Sequence, residues 1–395
     1  MVERTEPDQI LSRRGDVEPF HAMDVLREAN RLSAKGEDIA YLCVGQPAAS
    51  APKKALEAVA EHLTSRPIGY TDASGREDLK HRLAAHYLDS YGIEVSSDRV
   101  FVTTGSSAGF NLAFLALFNP GDRVAITSPG YPAYRNILKA LSIEVVEIET
   151  KAENRWALTP EELSRVHEEK PVAGVLIASP ANPTGTMMSA DALKSLISYC
   201  DSSDIRFISD EIYHDLVYDQ DTGLKQSTAL SFSDQVIVIN SFSKFYCMTG
   251  WRIGWMILPD QLVRPIERLA QSLYISPPEL SQVAALHALD CRDELVLVRK
   301  GYLKNRNLLL SRLPELGFDD IMPIDGAFEA YANASRHTND TMKFAYDLLA
   351  GAGVAVTPGY DFDQINGNRF IRISFAGDFD VIRDALGRME TWLNR

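Results

Sequence analysis

The chain has 395 residues, more than a single hydrophobic core usually organises, so two packed units are expected. Hydrophobic residues make up 45% and charged residues 24%, which excludes a disordered or fibrous chain. The net charge of −14 repels phosphate backbones and acidic lipid, so neither nucleic acid nor a membrane is the expected partner.

The first sixteen residues are charged and lack the apolar stretch of a signal peptide. Cys43, Cys200, Cys247 and Cys291 lie far apart with no CxxC pair. That excludes a disulfide scaffold and a cysteine zinc site, and fits a reducing cytoplasm. The longest apolar run, near Phe110–Phe118, is far short of the ~20 residues that span a bilayer.

From Arg99 onward short β-branched runs read as buried strands: RVFVTT, DRVAIT, VAGVLIAS, IRFIS, QVIVIN and RIGWMIL. Between them lie helical spacings, as at Ala192, Leu193, Leu196 and Ile197. The alternation predicts an α/β fold, a mostly parallel sheet flanked by helices, with ligands beyond the carboxyl ends of the strands. After Pro259 the pattern changes. Helices are predicted from Gln261 to Leu313, broken at Pro277–Pro278. A strand follows at Gly326–Ala332, a helix at Asp340–Ala350, a strand at Arg369–Phe375 and a helix at Asp378–Leu393. This reads as a smaller α+β domain. The segment before Pro52 shows no strand–helix unit of its own and is expected to join it. The predicted division is a large domain over residues 50–285 and a discontinuous small domain over 1–49 and 286–395.

The polar residues after the predicted strands are the candidates for chemistry. Thr104-Gly105-Ser106-Ser107-Ala108-Gly109 opens a helix with small residues, the composition of an anion site, although many strand–helix turns look alike. In Ser179-Pro180-Ala181-Asn182-Pro183-Thr184-Gly185 the prolines and glycine fix a turn, and Asn182 either faces a site or closes an Asx-turn. Asp210, in Asp210-Glu211-Ile212-Tyr213, could bind a metal, cap a helix or pair with a cation. Lys244 ends Ser241-Phe242-Ser243-Lys244 directly after QVIVIN. Buried there, it would lose hydration and become a neutral, nucleophilic amine; otherwise it snorkels to solvent. Arg372 stands among alternating apolar residues in FIRIS, as a carboxylate ligand or an edge-strand arginine. The eight histidines show no metal-ligand spacing, and no metal is expected.

Taken together, SPANPTGT, DEIY, SFSK with GWRIGW, and FIRISFA resemble the pyridoxal-phosphate-dependent aminotransferases of fold type I, class I/II, in the family's order and over nearly the whole chain. The resemblance implies that Lys244 forms the Schiff base with pyridoxal 5′-phosphate and, once freed by substrate, moves the proton. It implies that Asp210 pairs with the pyridine nitrogen, and that Tyr213 and Asn182 hydrogen-bond the ring's 3-oxygen. Tyr131 would stack on the ring, where many relatives carry Trp. Gly105, Ser106, Ser107, Ser241, Ser243 and Arg252 would hold the phosphate. Tyr70 would reach the phosphate of a neighbouring subunit, making the active unit a homodimer. Arg372 would grip the substrate α-carboxylate, with Gly45 offering a backbone amide and Asn182 beside it.

The activity so implied is transfer of an amino group from an L-amino acid to a 2-oxo acid by a ping-pong mechanism. A β-lyase, synthase or decarboxylase of the same fold would share the cofactor residues. A non-catalytic regulator would need a DNA-binding module and a basic stripe that this chain lacks. No Lys or Arg occurs from Val100 through Asp122, and Phe20, His21, Ala22 and Met23 carry no fixed cation. That favours a neutral or hydrophobic donor.

Overall fold

The computed structural model describes residues 12–218 and 222–395. Most of the charged N-terminal stretch therefore lies outside the described residues.

The strands, in chain order, are β1 (Ala40–Tyr41), β2 (Val100–Thr103), β3 (Arg123–Ser128), β4 (Glu144–Glu149), β5 (Gly174–Ala178), β6 (Arg206–Asp210), β7 (Ile237–Ser241) and β8 (Gly254–Ile257). They continue with β9 (Glu329–Asn333), β10 (Val354–Ala355), β11 (Thr357–Pro358) and β12 (Phe370–Ser374). Seven form the main sheet in the order β2-β8-β7-β6-β5-β3-β4. Every neighbouring pair is parallel except those made by β8. The sheet is buried on both faces, and alternate residues of each strand feed two cores. Val100, Val102, Val175, Ile177, Val238 and Trp255 face one. Phe101, Val124, Ile126, Leu176, Ile208 and Met256 face the other. Helices Ser106–Leu117, Pro132–Ala140 and Asp260–Leu273 contribute to the second core. This is the α/β, mostly parallel architecture that the alternating pattern implies.

The remaining strands form two small sheets. β11, β12 and β9 are antiparallel neighbours, and β1 pairs in parallel with β10. The N-terminal segment is thus tied to the C-terminal part of the chain. It does carry local structure, contrary to expectation: helix His21–Ser33 precedes β1. That helix is held from a distance, because Asp361 accepts from the backbone N–H groups of His21 and Ala22 at 2.9 and 2.7 Å. Two further differences have simple causes. β4 is half charged and lies at the sheet edge, so its burial does not follow the apolar rule. The helical stretch after Pro259 breaks at Asp290–Cys291 as well as at the proline pair, giving helices Asp260–Leu273, Glu279–Ala288 and Arg292–Glu315. No helix among the described residues is long and apolar enough to cross a membrane.

Candidate active site

Strands β3, β5, β6 and β7 end at one edge of the sheet. β2 runs with them, since β2 and β7 are both antiparallel to β8. β8 therefore starts at the edge where the others finish. In register, Ala178 stands beside Asp210, and Gly254 stands between Thr103 and Ser241. The loops that leave five strands and the loop that precedes one meet at this edge. They enclose a cavity of about 180 Å³.

Ser106, Ser107, Tyr131, Asn182, Asp210, Tyr213, Ser243, Lys244 and Arg252 all line that cavity. Gly105 caps the helix Ser106–Leu117 with a φ of 79°, a left-handed conformation that favours glycine. A Cβ there would lie 2.6 Å from Arg252 Nη2, so the missing side chain makes room for the guanidinium. The first-turn N–H groups of a helix have no carbonyl partner within it, and here they open towards an arginine. A helix N-terminus, two serine hydroxyls and a guanidinium make a cradle for a doubly charged anion. Ser241 lies behind the cradle, its hydroxyl bonded to Ser243 Oγ at 2.9 Å and to the Ile253 carbonyl at 3.1 Å.

Asp210 is 3% exposed. It accepts hydrogen bonds from the Tyr134 hydroxyl and from Ile212 N, the latter at 3.0 Å, both neutral donors. Burial raises its carboxyl to about 6, against the opposing pull of those bonds. A buried acid with only neutral hydrogen-bond donors is a place for a cationic ring nitrogen. Lys244 is half-buried and donates from Nζ to the Gly45 carbonyl at 2.5 Å. Loss of hydration lowers its ammonium to about 8. Glu329 and Asp210 act against that shift, while Arg372 and Arg252 add to it. Tyr213 donates to Glu329 Oε1 at 2.9 Å, and burial pushes its hydroxyl well above the usual phenol range. Tyr131 packs edge-on to Phe20 and Tyr134, with centroids 5.8 and 5.3 Å away.

Arg372 enters from β12 and is buried. Nη1 donates to Asn182 Oδ1 at 3.1 Å, and Nη2 donates to the Cys43 carbonyl at 2.7 Å and to Thr357 Oγ1 at 3.2 Å. Its Nε has no hydrogen-bond partner among the described residues. Gly45 lies close by, where a Cβ would come within 2.5 Å of Glu329 Oε1. Tyr70 alone stands apart. It is 82% exposed and does not line its own chain's cavity.

Sequence reasoning missed two residues here. Tyr134 comes three positions after Tyr131 at the start of helix Pro132–Ala140, so the two share a face, and that spacing was readable. Glu329 is an acid on a strand of otherwise mostly apolar residues, the same anomaly that singles out Arg372.

Comparison with known proteins agrees with this geometry. The model of the family "Aminotransferase class I and II" matches residues 37–389. A valine–pyruvate aminotransferase of Mycobacterium tuberculosis is 46% identical over 98% of this chain and 99% of its own. The crystal structure of an aminotransferase from Mycobacterium tuberculosis superposes with a TM-score of 0.94 at 45% identity, covering 98% of this chain and 99% of that one. The aspartate aminotransferase of Thermus thermophilus, solved with maleate, has a TM-score of 0.90 at 30% identity, covering 97% and 99%.

The chain belongs to the class I and II aminotransferases. It is a transaminase whose cofactor is pyridoxal 5′-phosphate and whose substrates are an amino acid and a 2-oxo acid. The residues that line the cavity fit that cofactor: an anion cradle, a buried acid bonded to neutral donors at Asp210, and a lysine of lowered basicity. When bound, pyridoxal phosphate supplies a carbonyl that condenses with amines and a cationic ring that accepts the electron pair left on the donor's α-carbon.

Proposed function

We propose that this transaminase takes the amino group of an L-amino acid with a neutral or hydrophobic side chain and delivers it to a 2-oxo acid such as pyruvate. The observation that carries this reading is the set of cations at the site. Lys244 and Arg252 line the cavity, and Arg372 is the buried guanidinium beside it. Lys244 Nζ would hold the cofactor and take the proton from the donor's α-carbon. Arg252, with Gly105, Ser106, Ser107, Ser243 and, from behind, Ser241, would hold the phosphate. Arg372, helped by the Gly45 backbone and Asn182, would bind the α-carboxylate. Among the described residues that line the cavity no cation then remains for a side-chain carboxylate, and an unpaired one entering a buried pocket is costly. The name of the valine–pyruvate relative supports the same class of donor.

Asp210 would keep the ring nitrogen protonated, with Tyr134 orienting the carboxylate. Tyr213 and Asn182 would hydrogen-bond the ring oxygen, and Tyr131 would stack on the ring. Tyr70, too exposed to serve its own site, would complete the site of a second copy, which makes the active unit a homodimer. We assign residues 50–285 to a cofactor-binding domain and residues 1–49 with 286–395 to a smaller one. Three of the four cysteines are buried as free thiols, which suits a cytoplasmic enzyme.

The test is a panel of amino donors on the cofactor-loaded protein, read as the loss of the cofactor's carbonyl absorbance at matched concentration and one pH. Valine, alanine, leucine or phenylalanine should outperform aspartate. Aspartate as the best donor would overturn the neutral-pocket reading. It would favour the dicarboxylate activity named for the Thermus thermophilus relative.

A further inference from the structure

Glu329 takes no part in the roles assigned so far, yet it is fully buried and bonded to Tyr213, which lines the cavity. It opens β9, in register with Ser374 of β12. Its Oε1 accepts from the Tyr213 hydroxyl at 2.9 Å, and its Oε2 accepts from Phe328 N at 3.1 Å. The same Oε1 lies against Gly45, whose carbonyl receives the Lys244 ammonium. The rings of Tyr213 and Phe328 are centred 5.6 and 5.5 Å from Lys244 Nζ. A buried carboxylate is costly unless a cation answers it, and its hydrogen-bond donors here are a phenol and a peptide.

We infer that Glu329 is a positioning residue: it fixes the direction of the Tyr213 hydroxyl and supplies the negative charge that holds a proton on Lys244. The inference rests on the reading of Lys244 as the reactive lysine. The groups that act on Lys244 come from several elements: Glu329 on β9, Asp210 on β6, Arg372 on β12 and Arg252 before β8, with the Tyr213 ring beside it. Both acids favour the ammonium and both arginines oppose it. Asp210 is engaged by Tyr134 and Ile212 N. Glu329 is therefore the acid left to balance the arginines at the lysine. Its bond to Tyr213 ties the acid to a side chain that lines the cavity.

The experiment uses cofactor-free protein. Lys244 is labelled with a trace of an amine-reactive anhydride across a pH series, and the labelled peptide is quantified by mass spectrometry. Only the neutral amine reacts, so the midpoint reports its proton affinity. Glu329→Gln keeps the size and an acceptor for Tyr213 but removes the charge, and it should lower the midpoint by about one pH unit, the low end for a nearby opposite charge. Glu329→Asp, which keeps the charge, should restore most of the shift. A Glu329→Gln midpoint equal to that of wild type would make Glu329 a structural residue and overturn the inference. If the Gln variant does not fold, Tyr213→Phe decides. With its phenol donor gone, Glu329 turns to Lys244 and the midpoint rises, whereas an unchanged or lower midpoint overturns the inference. Borohydride reduction of the cofactor-loaded wild type separately shows whether the cofactor is carried on Lys244. A negative result there would sink the underlying reading and leave the labelling result standing.

Discussion

Arg372→Ala should cost this enzyme about two to four decades in kcat/KM, and the loss should be similar for every donor. The α-carboxylate is common to all amino-acid substrates, so its ligand cannot discriminate among them. Each charge-assisted hydrogen bond contributes ~1.5–3 kcal/mol, a bidentate pair twice that, and ~1.4 kcal/mol corresponds to one decade. The guanidinium is held in place before substrate arrives, by Asn182, the Cys43 carbonyl and Thr357, with Cζ 4.8 Å from the centre of the Phe362 ring. Its Nε is buried without a partner among the described residues. Arg372→Lys keeps the charge but loses the planar fork, so it should fall between wild type and alanine. The alanine variant also strips the Cys43 carbonyl of a donor. A melting curve and the bound-cofactor content must therefore accompany the kinetics, to separate lost binding from lost stability. An Arg372→Ala enzyme within about tenfold of wild-type kcat/KM, a deficit near 1.4 kcal/mol, would refute the assignment.

Lys244→Ala should bind pyridoxal phosphate reversibly, give no covalent adduct on borohydride reduction, and lose about 10²–10⁴-fold in turnover; near-normal turnover would remove Lys244 from the chemistry. In cofactor-free wild type the lowered lysine, at about 8, makes cofactor capture faster as pH rises towards that value and level above it, because only the neutral amine attacks. A stopped-flow rate that does not change across that range contradicts the lysine's environment. Asp210→Ala should keep the fold while turnover drops about 10²–10³-fold, the usual cost of removing one preorganised electrostatic group. Asp210→Glu should retain part of the activity, and wild-type rates in Asp210→Ala would leave the acid as a structural group bonded to Tyr134 and Ile212.

The site was readable in the sequence wherever a motif sat directly after a strand, because a strand end fixes the direction of the loop that leaves it. Asn182, Asp210 and Lys244 lie at or just past the ends of β5, β6 and β7, and the chain's own β-branched runs marked those ends. Arg252 was placed by resemblance alone. Its position results from β8 running against its neighbours, and local composition carries no sign of strand direction. RIGWMIL also proved shorter as a strand, since Arg252 itself adopts a left-handed φ of 51° and turns out of the sheet. The helix His21–Ser33 escaped because its N-terminal partner, Asp361, lies some 340 residues away. Glu329 escaped because its meaning comes from Tyr213 and Gly45, which only the tertiary fold brings to it.

The charge arrangement of the site accounts for its ligands better than the charge of the whole chain does. The protein carries −14, yet at the site Lys244 and Arg252 line the cavity with Asp210, and the buried Arg372 and Glu329 lie close enough to act on Lys244. Such a site attracts anions locally while the surface repels them, since field lines concentrate in a cleft with low-dielectric walls. On the proposed reading the phosphate would engage Arg252 and the helix that starts at Ser106, the α-carboxylate Arg372 and the ring nitrogen Asp210. Glu329 would then offset the charge of Lys244, and each charge at the site would have an opposite. A second carboxylate on the donor would add a negative charge with no further cation among the described residues that line the cavity, in a space that already holds the buried Asp210. The proposed selectivity for neutral donors would arise from that balance without any contact to the donor's side chain. It should weaken in Glu329→Gln, because the same substitution that frees the lysine's proton also removes a buried negative charge one hydrogen bond from the cavity-lining Tyr213.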